Sequence, residues 1–328
     1  MIDNYKLLRI DRETWDLHWP KIRQAPILQS WEYGEAKRQA QGCRVQRFLL
    51  QNDKGEPVGL MQALVYALPL IGGVARINRG PVFFSDALRV SPSREDVMGI
   101  MAALRKTAQR ERWRLLRIIP EFQSENGDLA AALVESGFKK RQTLPVASAA
   151  IDLTRAPEEI RAGFDGKWRN LLNKSEKMGL ELEAPTLDEA LPFLIGRYEA
   201  MQQEKGFKGL PTKLIRAMVM QNGPTSNCSI LYARHEGERH GAVMTVGHGD
   251  ACTYLIGWTS DAGRSLQANY FLLWLAMLMQ RDRGCKYFDV GGLGANTTAG
   301  VEHFKKRLKG QEYSLIGEYS YASLPFLR

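Results

Sequence analysis

FLLQNDKGEPVGLM (residues 48–61) and ILYARHEGERHGAVM (residues 230–244) can be laid over each other without a gap through their central turn. Each stretch is an apolar strand, a polar turn that ends in Gly-Glu, a further glycine and a second apolar strand. Glycine supplies the backbone geometry of tight turns, so both stretches predict a β-hairpin. Three positions of the two copies coincide: Gly55, Glu56 and Gly59 fall on Gly237, Glu238 and Gly241.

The segments that follow the two hairpins also agree in order. Each hairpin is followed by a strand, then a helix, then another strand. This alternation of hairpins and crossover helices indicates mixed α/β units. The first copy has these segments at 74–84, about 95–111 and 113–120, and the second has them at 251–260, about 266–283 and 285–292.

The length of 328 residues suits two such units. We therefore predict two tandem domains, residues 1–148 and 149–328. Hydrophobic residues make up 44% and charged residues 25% of the chain, as in ordinary globular proteins. The formal net charge of +9 favours an anionic partner such as a nucleic acid or a phosphorylated molecule.

The sequence lacks the patterns of metal sites, of two common catalytic motifs, and of secreted or membrane-spanning proteins. The four cysteines form no CxxC pair, and the five histidines lie in separate segments without metal-ligand spacing. The chain has neither a G-x-S-x-G nor an H-E-x-x-H motif. Its N-terminus is charged throughout, and the longest apolar run, residues 270–279, is too short to span a bilayer. We expect a cytoplasmic protein with no transmembrane segment and no metal.

The glycine-rich stretch FDVGGLGANTTAGVEHFKKRLKG (residues 288–310) fits neither common nucleotide motif. A dinucleotide fingerprint that starts at Gly292 would need glycine at Thr297. A P-loop would need Gly-Lys-Ser/Thr where Gly300 is followed by Val and Glu. Asp289, at the end of the predicted strand, is the best-placed carboxylate of the region. It either takes part in chemistry or holds the turn by a hydrogen bond.

The helix predicted after this loop has a buried stripe formed by Val301, Phe304 and Leu308. Lys305 lies beside that stripe on a helical wheel. Its stem can therefore be half-buried with its ammonium at a cleft, or the lysine can belong to a solvated face.

The segment LQSWEYGEAK (residues 28–37) predicts a helix start with Ser30 as N-cap. Trp31 and Tyr33 near Lys37 would suit a nucleobase together with its phosphates. The alternative for Trp31 is that it anchors the helix in the core.

KWRNLLNKSEKMG (residues 167–179) predicts an amphipathic basic helix that Gly179 closes. Such a helix can bind a phosphate backbone or remain solvated. Its apolar arc consists of Trp168, Leu171, Leu172 and Met178, and its basic arc consists of Lys167, Arg169, Lys174 and Lys177.

Taken in order, these segments resemble the Fem family of non-ribosomal peptidyl aminoacyltransferases and the related tandem proteins of the GNAT (N-acetyltransferase) superfamily. The resemblance covers nearly the whole chain, and it rests on the ordered set rather than on one motif. The set is LQSWEYGEAK, GEPVGLMQALVYALPLIGG, RGPVFF, ESGFKK, AAIDLTRAPEEI, KWRNLLNKSEKMGLELE, YLIGWTS, ANYFLLWLAM, GCKYFDVGG and HFKKRLKG.

The resemblance implies a mixed α/β fold of two GNAT-like domains, with a cleft between or across them and without a coiled-coil arm. It also implies transfer of an amino acid from aminoacyl-tRNA to an amine of a peptidoglycan precursor, with no bound cofactor. The precursor would be nucleotide-linked or lipid-linked, and the second form implies transient association with a membrane surface.

The resemblance also implies roles for single residues. Lys37 would contact the phosphates of the precursor, and Lys305 would lie at the reacting centre with the glycine loop at Gly292. Many family members carry an arginine before a Gly-Phe or Gly-Ile pair early in the second domain. This chain has EKGFKG (residues 204–209) there, so Lys205 or Lys208 would have to replace it.

Two other functions stay open on the sequence. GNAT enzymes bind the pyrophosphate of acyl-CoA through [QR]-x-x-G-x-[GA] at a helix start. The corresponding RSLQAN (residues 264–269) keeps Arg264 but has Gln267 in place of the glycine and Asn269 at the last position. The first alternative is thus an acyl-CoA-dependent N-acyltransferase. The second is a tRNA- or precursor-binding module that has lost catalysis.

Overall fold

The computed structural model describes residues 4–85, 92–223, 226–294 and 297–323, so the glycine-rich stretch is described except for residues 295 and 296. The contacts between Cα atoms divide the chain into two compact units. The first consists of residues 1–147 and 313–328, and the second of residues 148–312.

The first unit begins with a strand and alternates between strands and helices. Its elements before residue 147 are β1 (Tyr5–Arg9), α1 (Arg12–His18), α2 (Trp31–Gln41), β2 (Arg44–Asn52), β3 (Pro57–Leu68), β4 (Gly72–Asn78), β5 (Val82–Phe83), α3 (Arg94–Arg110), β6 (Trp113–Ile119), α4 (Gly127–Glu135) and β7 (Lys139–Lys140).

The rest of the chain follows a similar alternation. Its elements are β8 (Ala147–Asp152), α5 (Pro157–Gly163), α6 (Gly166–Ser175), β9 (Glu181–Glu183), α7 (Leu187–Lys205), α8 (Thr212–Met220), β10 (Ser226–His235), β11 (Glu238–His248), β12 (Ala251–Thr259), α9 (Asp261–Ser265), α10 (Ala268–Asp282), β13 (Tyr287–Asp289), α11 (Ala299–Lys306), β14 (Gln311–Ser314) and β15 (Tyr319–Ala322).

The sheet of the first unit is completed by the C-terminal strand. Its order is β1-β2-β3-β4-β6-β15-β7, with β5 beside β3. The prediction that residues 149–328 form the second domain is therefore wrong for residues 313–323. The reason is burial: Tyr319 and Tyr321 pack into the apolar core of the first unit. Chain order alone cannot show this return.

The second sheet has the order β14-β8-β13-β12-β11-β10-β9. Its β12 and β13 run parallel, as β4 and β6 do in the first sheet. The two predicted hairpins are β2–β3 and β10–β11, and both are antiparallel pairs. Both sheets are mixed, as the sequence predicts.

The two hairpins differ by one residue in their register. Both contain an irregularity just before the turn, where one strand carries an extra residue. The turn of the second hairpin is one residue shorter than that of the first. The gap-free alignment of the two sequences is therefore shifted by one residue on β2 and β10, the strands that lead into the turns. The flanking pairs are Leu50–Gly59 and Gln51–Pro57 in the first hairpin, and Ala233–Gly241 and Arg234–Arg239 in the second.

Helix ends follow local chemistry more than apolar spacing. Ser30 caps α2 as predicted, since its Oγ accepts a hydrogen bond from the Tyr33 amide. α6 ends at Ser175, four residues before Gly179, which has a φ of 68° in the turn that follows. α10 begins at Ala268, because Gln267 before it adopts left-handed backbone geometry. No helix in the described ranges is both long and apolar enough to cross a membrane.

Candidate active site in the second unit

Each unit contains one pair of parallel strands, β4 with β6 and β12 with β13, and the two pairs differ in how far the hydrogen-bonded pairing extends. In the first unit β4 and β6 stay paired from Gly73–Trp113 to Asn78–Ile119. In the second unit the pairing stops at Thr253–Asp289, although β12 continues to Thr259. β12 also contains a bulge directly after Tyr254. Bulges often re-aim side chains beside active sites, so the end of β13 is a place where a ligand can approach the sheet.

Lys305 of α11 lies at this place. The residue is only 7% exposed, and its Nζ donates a hydrogen bond to the Gly292 carbonyl at 3.0 Å. The same nitrogen lies 5.4 Å from the centroid of the Tyr254 ring. Burial lowers the pKa of Lys305 from 10.5 to about 8, an effect that the negative charge of Asp289 opposes. Lys305 therefore remains mostly protonated at pH 7, and it is a buried cation.

The buried face of α11 differs from the predicted stripe. Val301 is 44% exposed, whereas Leu308 and Lys305 are buried. Phe304 is half-buried, with its ring centroid 6.0 Å from that of Trp168. The helix has only eight residues, and its last turn, not its first, packs inward. The helical wheel predicted that Lys305 lies next to the buried apolar stripe of this helix. In the structure Lys305 lies on the buried face of the short helix.

Asp289 holds the glycine turn. Its Oδ1 accepts hydrogen bonds from the Ser148 hydroxyl at 2.6 Å and from the Gly291 amide at 2.8 Å. The Ser148 hydroxyl also lies 3.0 Å from the Gly291 carbonyl oxygen. These contacts favour the turn-holding alternative for Asp289. Its second effect is electrostatic, because its charge helps to keep Lys305 protonated.

Position 291 has no space for a side chain, so it requires glycine. Its φ is 72°, and a Cβ there would lie 2.5 Å from the Tyr254 carbonyl oxygen and 3.4 Å from Lys305 Nζ. Gly292 contributes its carbonyl oxygen, not an amide, to the contact with Lys305. The loop thus lets the backbone approach β12 and the lysine closely, a role unlike that of a phosphate cradle.

Tyr254 and Ser148 belong to this site, although neither was singled out from the sequence. A Cβ at Gly257 would overlap the hydroxyl of Tyr254, so this hydroxyl lies against the glycine. Burial raises the pKa of Tyr254 to about 12, which keeps the hydroxyl protonated. The spacing Y-x-x-G in YLIGWTS was the available signal for Tyr254. Nothing in the sequence connects Ser148 with Asp289.

The first unit brings Lys37 and Tyr33 together. Lys37 Nζ donates to Gln41 Oε1 at 3.2 Å and lies 5.7 Å from the centroid of the Tyr33 ring. Burial lowers the pKa of Lys37 and raises that of Tyr33. The predicted lysine–aromatic pair is therefore present, while its contact with precursor phosphates stays a prediction.

Trp31 does not join this pair as a stacking platform. The Arg47 guanidinium lies 3.4 Å from its ring centroid, and Arg47 also donates to the Trp31 carbonyl at 2.9 Å. Trp15 packs edge-on against the same ring at 6.1 Å. The structure favours the alternative in which Trp31 anchors α2.

The basic arc of α6 is only partly available to a ligand. Arg169 donates to the Ala162 carbonyl at 2.7 Å and so holds the end of α5. Arg169 is thus engaged within the protein, and its predicted phosphate contact stays a prediction. The exposed basic side chains of the segment are Lys167, Lys174 and Lys177.

The remaining predicted binding residues lie on other elements. Lys205 ends α7, and Lys208 follows two residues beyond Gly206; both lysines are exposed. Arg264 is exposed on α9, forms an ion pair with Asp261 and donates to the Thr259 carbonyl at 3.3 Å. The structure does not bring these three side chains to the Lys305 contacts described above.

The start of α10 departs at Gln267 from the motif that binds the pyrophosphate of an acyl-CoA. Gln267 stands at the N-cap with a φ of 60°, a left-handed geometry that glycine adopts more readily. Its side-chain amide donates to the Arg264 carbonyl at 2.8 Å, and its backbone amide bonds the same oxygen at 3.2 Å. At the position where the motif has glycine, the side chain and the backbone amide of Gln267 are therefore both engaged with the Arg264 carbonyl.

Metal chemistry has no preformed centre in the described ranges. They contain no group of three or more His, Cys, Asp or Glu side chains that would hold a metal ion.

Comparisons with known proteins bear on the fold of the chain. Residues 163–306 match the model of the acetyltransferase (GNAT) domain family. The crystal structure of FemX superposes with a TM-score of 0.80 at 16% identity, over 97% of both chains. A tandem GNAT protein from the clavulanic acid biosynthesis pathway superposes with a TM-score of 0.55 at 13% identity, over 98% of both chains.

A third solved structure is the C-terminal domain of a putative lysylphosphatidylglycerol synthetase from Agrobacterium fabrum. It superposes with a TM-score of 0.55 at 13% identity, over 91% of this chain and 89% of its own. A search of curated proteins gives no match. The predicted fold is confirmed: the chain has a mixed α/β, GNAT-like fold similar to that of FemX, and most of its second unit matches the GNAT domain model.

Proposed function

We propose, from a Fem-like tandem GNAT fold whose second unit buries a lysine at a glycine turn, that this protein is an acyltransferase acting on an amine. In the specific form of the proposal, the donor is aminoacyl-tRNA and the acceptor is the amine of an anionic, nucleotide-linked or lipid-linked peptidoglycan precursor. The buried, protonated Lys305 is the observation that carries the proposal. Such a reaction would take place in the cytoplasm.

The reaction would need little acid–base machinery. The acceptor amine attacks the ester carbonyl, a C–N bond forms, and the ester C–O bond breaks to release the ribose hydroxyl of the tRNA. The ester is already activated, so the protein mainly positions the partners and stabilises the oxyanion of the tetrahedral intermediate. The proton of the amine would pass to the leaving oxygen through groups of the substrates themselves.

Lys305 suits the stabilising role. An ammonium has three N–H donors, and the Gly292 carbonyl takes one of them. The others can face a developing oxyanion in a place with little water, where the interaction is stronger than in solvent. Tyr254 would support the lysine through its ring face.

An acyl-CoA donor is the second candidate, because the GNAT match to residues 163–306 is shared with acetyltransferases. The replacement of the motif's glycine by Gln267, whose side chain bonds the Arg264 carbonyl, argues against it. Lys37 is the proposed contact for acceptor phosphates, since it lies half-buried on an aromatic face in the first unit.

The donor can be tested directly. The purified protein is incubated with labelled aminoacyl-tRNA or labelled acyl-CoA and a set of peptidoglycan-precursor amines, and label in the acceptor is measured. We expect transfer from aminoacyl-tRNA. Transfer from acyl-CoA alone would refute the tRNA-dependent proposal, and binding without turnover for every donor would support a module that has lost catalysis.

The role of Lys305 is tested in the same assay. Lys305→Ala should lower kcat by about 100-fold or more while acceptor affinity changes little, since an oxyanion contact acts in the transition state. Lys306→Ala is the matched control, because Lys306 is the next residue and is exposed in an ion pair with Glu302. Equal losses of kcat and acceptor affinity would make Lys305 a ground-state binding residue.

A further inference from the structure

The end of the β3–β4 hairpin in the first unit is an exposed apolar segment. β3 and β4 stay paired as far as Leu68 and Gly72. All five residues of the stretch ALPLI (67–71) are exposed, and we call this stretch the apolar tip. Leu70 is fully exposed, at 101%, and Ile71 is 49% exposed. The other large apolar side chains that are exposed in the described ranges stand singly on separate segments, which is ordinary for a protein surface.

Leu70 occupies a position that the fold does not reserve for leucine. Its φ is 65°, in the left-handed region that glycine and asparagine adopt more readily. Because the side chain is fully exposed, leucine adds no packing to the first unit in return. The fold therefore gives no reason for a leucine here, whereas a contact outside the chain does.

Three arginines adjoin the apolar tip. Arg114, at the start of β6, donates through its Nε to the Ile71 carbonyl at 2.6 Å. Arg112 accepts a hydrogen bond at its carbonyl from the Gly73 amide at 3.1 Å, and its side chain is exposed. Arg44, also exposed, begins β2 on the other side of β3. None of these three guanidinium groups has an ion pair in the part of the chain that the structure describes.

Negative charge is nearly absent from this end of the first unit. The strands β2, β3, β4 and β6 contain no Asp or Glu. Glu111, directly before Arg112, is already engaged: its carboxylate lies 3.2 Å from guanidinium nitrogens of both Arg9 and Arg110. The apolar tip thus stands beside a positive charge that the protein itself does not neutralise.

The shape of the apolar tip argues against a protein partner. β3 continues from Val65 to Leu68 beyond its last pair with β2, so the tip projects past the neighbouring strand. Five residues on a tight turn are far fewer than the roughly 20–30 residues that each side of a stable protein interface contributes. A lipid bilayer accepts apolar side chains of any shape, and its anionic headgroups attract adjoining arginines.

We propose that the apolar tip inserts reversibly into the surface of an anionic lipid bilayer, with Arg44, Arg112 and Arg114 at the level of the headgroups. The inference rests on the proposed function in one respect, since a lipid-linked acceptor would lie at the same surface. It requires neither the donor nor the chemistry at Lys305.

The experiment measures co-sedimentation of the purified chain with vesicles made of equal parts phosphatidylglycerol and phosphatidylcholine, beside vesicles of phosphatidylcholine alone. We expect binding to the anionic vesicles and weaker binding to the neutral ones. Leu70→Asn should weaken binding to both kinds by about tenfold, because a leucine side chain no longer leaves water. Arg112→Ala should weaken binding by about fivefold on the anionic vesicles only.

Two matched controls lie elsewhere in the first unit. Leu17→Asn changes a leucine that is 67% exposed on α1, and Lys54→Ala removes an exposed cation from the turn at the opposite end of β3. Both should leave vesicle affinity unchanged. Asparagine tolerates the backbone geometry of position 70, so Leu70→Asn should not lower the thermal unfolding midpoint.

Insertion itself can be observed at position 70. The four native cysteines are buried, so Leu70→Cys supplies an accessible thiol for an environment-sensitive nitrobenzoxadiazole dye. Dye emission should rise when anionic vesicles are added, and the same dye on Leu17→Cys should not respond.

Two results would overturn the inference. The first is equal vesicle affinity of the wild type and Leu70→Asn. The second is a dimer that Leu70→Asn abolishes while the wild type binds no vesicles, since the apolar tip would then contact a second copy of the chain.

The outcome is separable from that of the proposed function. Vesicle binding that Leu70→Asn weakens, together with no aminoacyl transfer by the wild type, would keep the membrane contact and reject the proposed reaction. Aminoacyl transfer to a nucleotide-linked acceptor, together with no vesicle binding by the wild type, would keep the reaction and reject the membrane contact.

Discussion

The ammonium of Lys305 is removed from water and has no ion pair within the described ranges. Its hydrogen bond goes to a neutral carbonyl, that of Gly292, and Asp289 acts on it only as a nearby charge. Removal from water penalises the charged form, which explains the lowered pKa. A cation kept in this way is available to a substrate oxyanion, because no carboxylate has to be displaced first.

The charge of Asp289 should be visible in the pH dependence of transfer. Transfer needs protonated Lys305, so we expect kcat/KM to fall as the pH rises through about 8, the pKa of this lysine. Asp289 favours the charged form, so Asp289→Asn should lower the pKa of Lys305 further and move this alkaline limb to lower pH. The measurement is a pH profile of kcat/KM for the two proteins.

The amide of Asn can still accept the bonds from Ser148 and Gly291, so Asp289→Asn removes the charge while leaving the turn acceptor in place. Lys306→Ala, on the exposed side of α11, should leave the alkaline limb where it is. An alkaline limb at the same pH in Asp289→Asn and wild type would show that Asp289 does not act on Lys305.

The glycine turn between β13 and α11 shows how one element defines the candidate site. Gly291 and Gly294 both have positive φ, which any other residue adopts only with strain. They differ in surroundings, because a Cβ at Gly291 would meet the Tyr254 backbone, whereas a Cβ at Gly294 would meet none of the described residues within 4 Å. One glycine is needed for close approach and the other for backbone geometry alone.

Replacing each glycine by alanine separates the two effects. Gly291→Ala should lower kcat of transfer by about tenfold or more, because the turn has to move away from Tyr254 and the carbonyl contact of Lys305 moves with it. Gly294→Ala carries only the strain of left-handed geometry, about 1–2 kcal/mol, and should affect kcat less. The check is kcat of both variants beside their thermal unfolding; an equal decrease in kcat would contradict the role given to Gly291.

The first unit is closed by a strand that follows the second unit in the chain. β15 lies between β6 and β7, and Tyr319 of this strand is fully buried in the first core. A segment that follows the whole second unit therefore stabilises the first one. Because these contacts are distant in sequence, they form late and slow the folding of the first unit.

Tyr319→Ala should destabilise the first unit by about 3–5 kcal/mol, since it leaves a large cavity. Tyr319→Phe is the matched control: the Tyr319 hydroxyl is buried without a hydrogen-bond partner among the described residues, so its removal should cost nothing. Hydrogen exchange of β6 and β7 should accelerate in the alanine variant more than exchange of β11 and β12. Equal acceleration in both sheets would contradict an effect centred on the first unit.

The amino-acid order by itself determined the hairpins, most helices and the tandem arrangement, because periodic apolar residues, caps and turn glycines act within a few neighbours. It also indicated Lys305 and Lys37, through family resemblance more than through spacing. Tertiary structure alone decided that β15 belongs to the first unit and that Trp31 is covered by Arg47. It also decided that Ser148, Asp289 and Tyr254 meet around a lysine. These outcomes depend on contacts between residues far apart in the chain, where burial and close approach are set by packing.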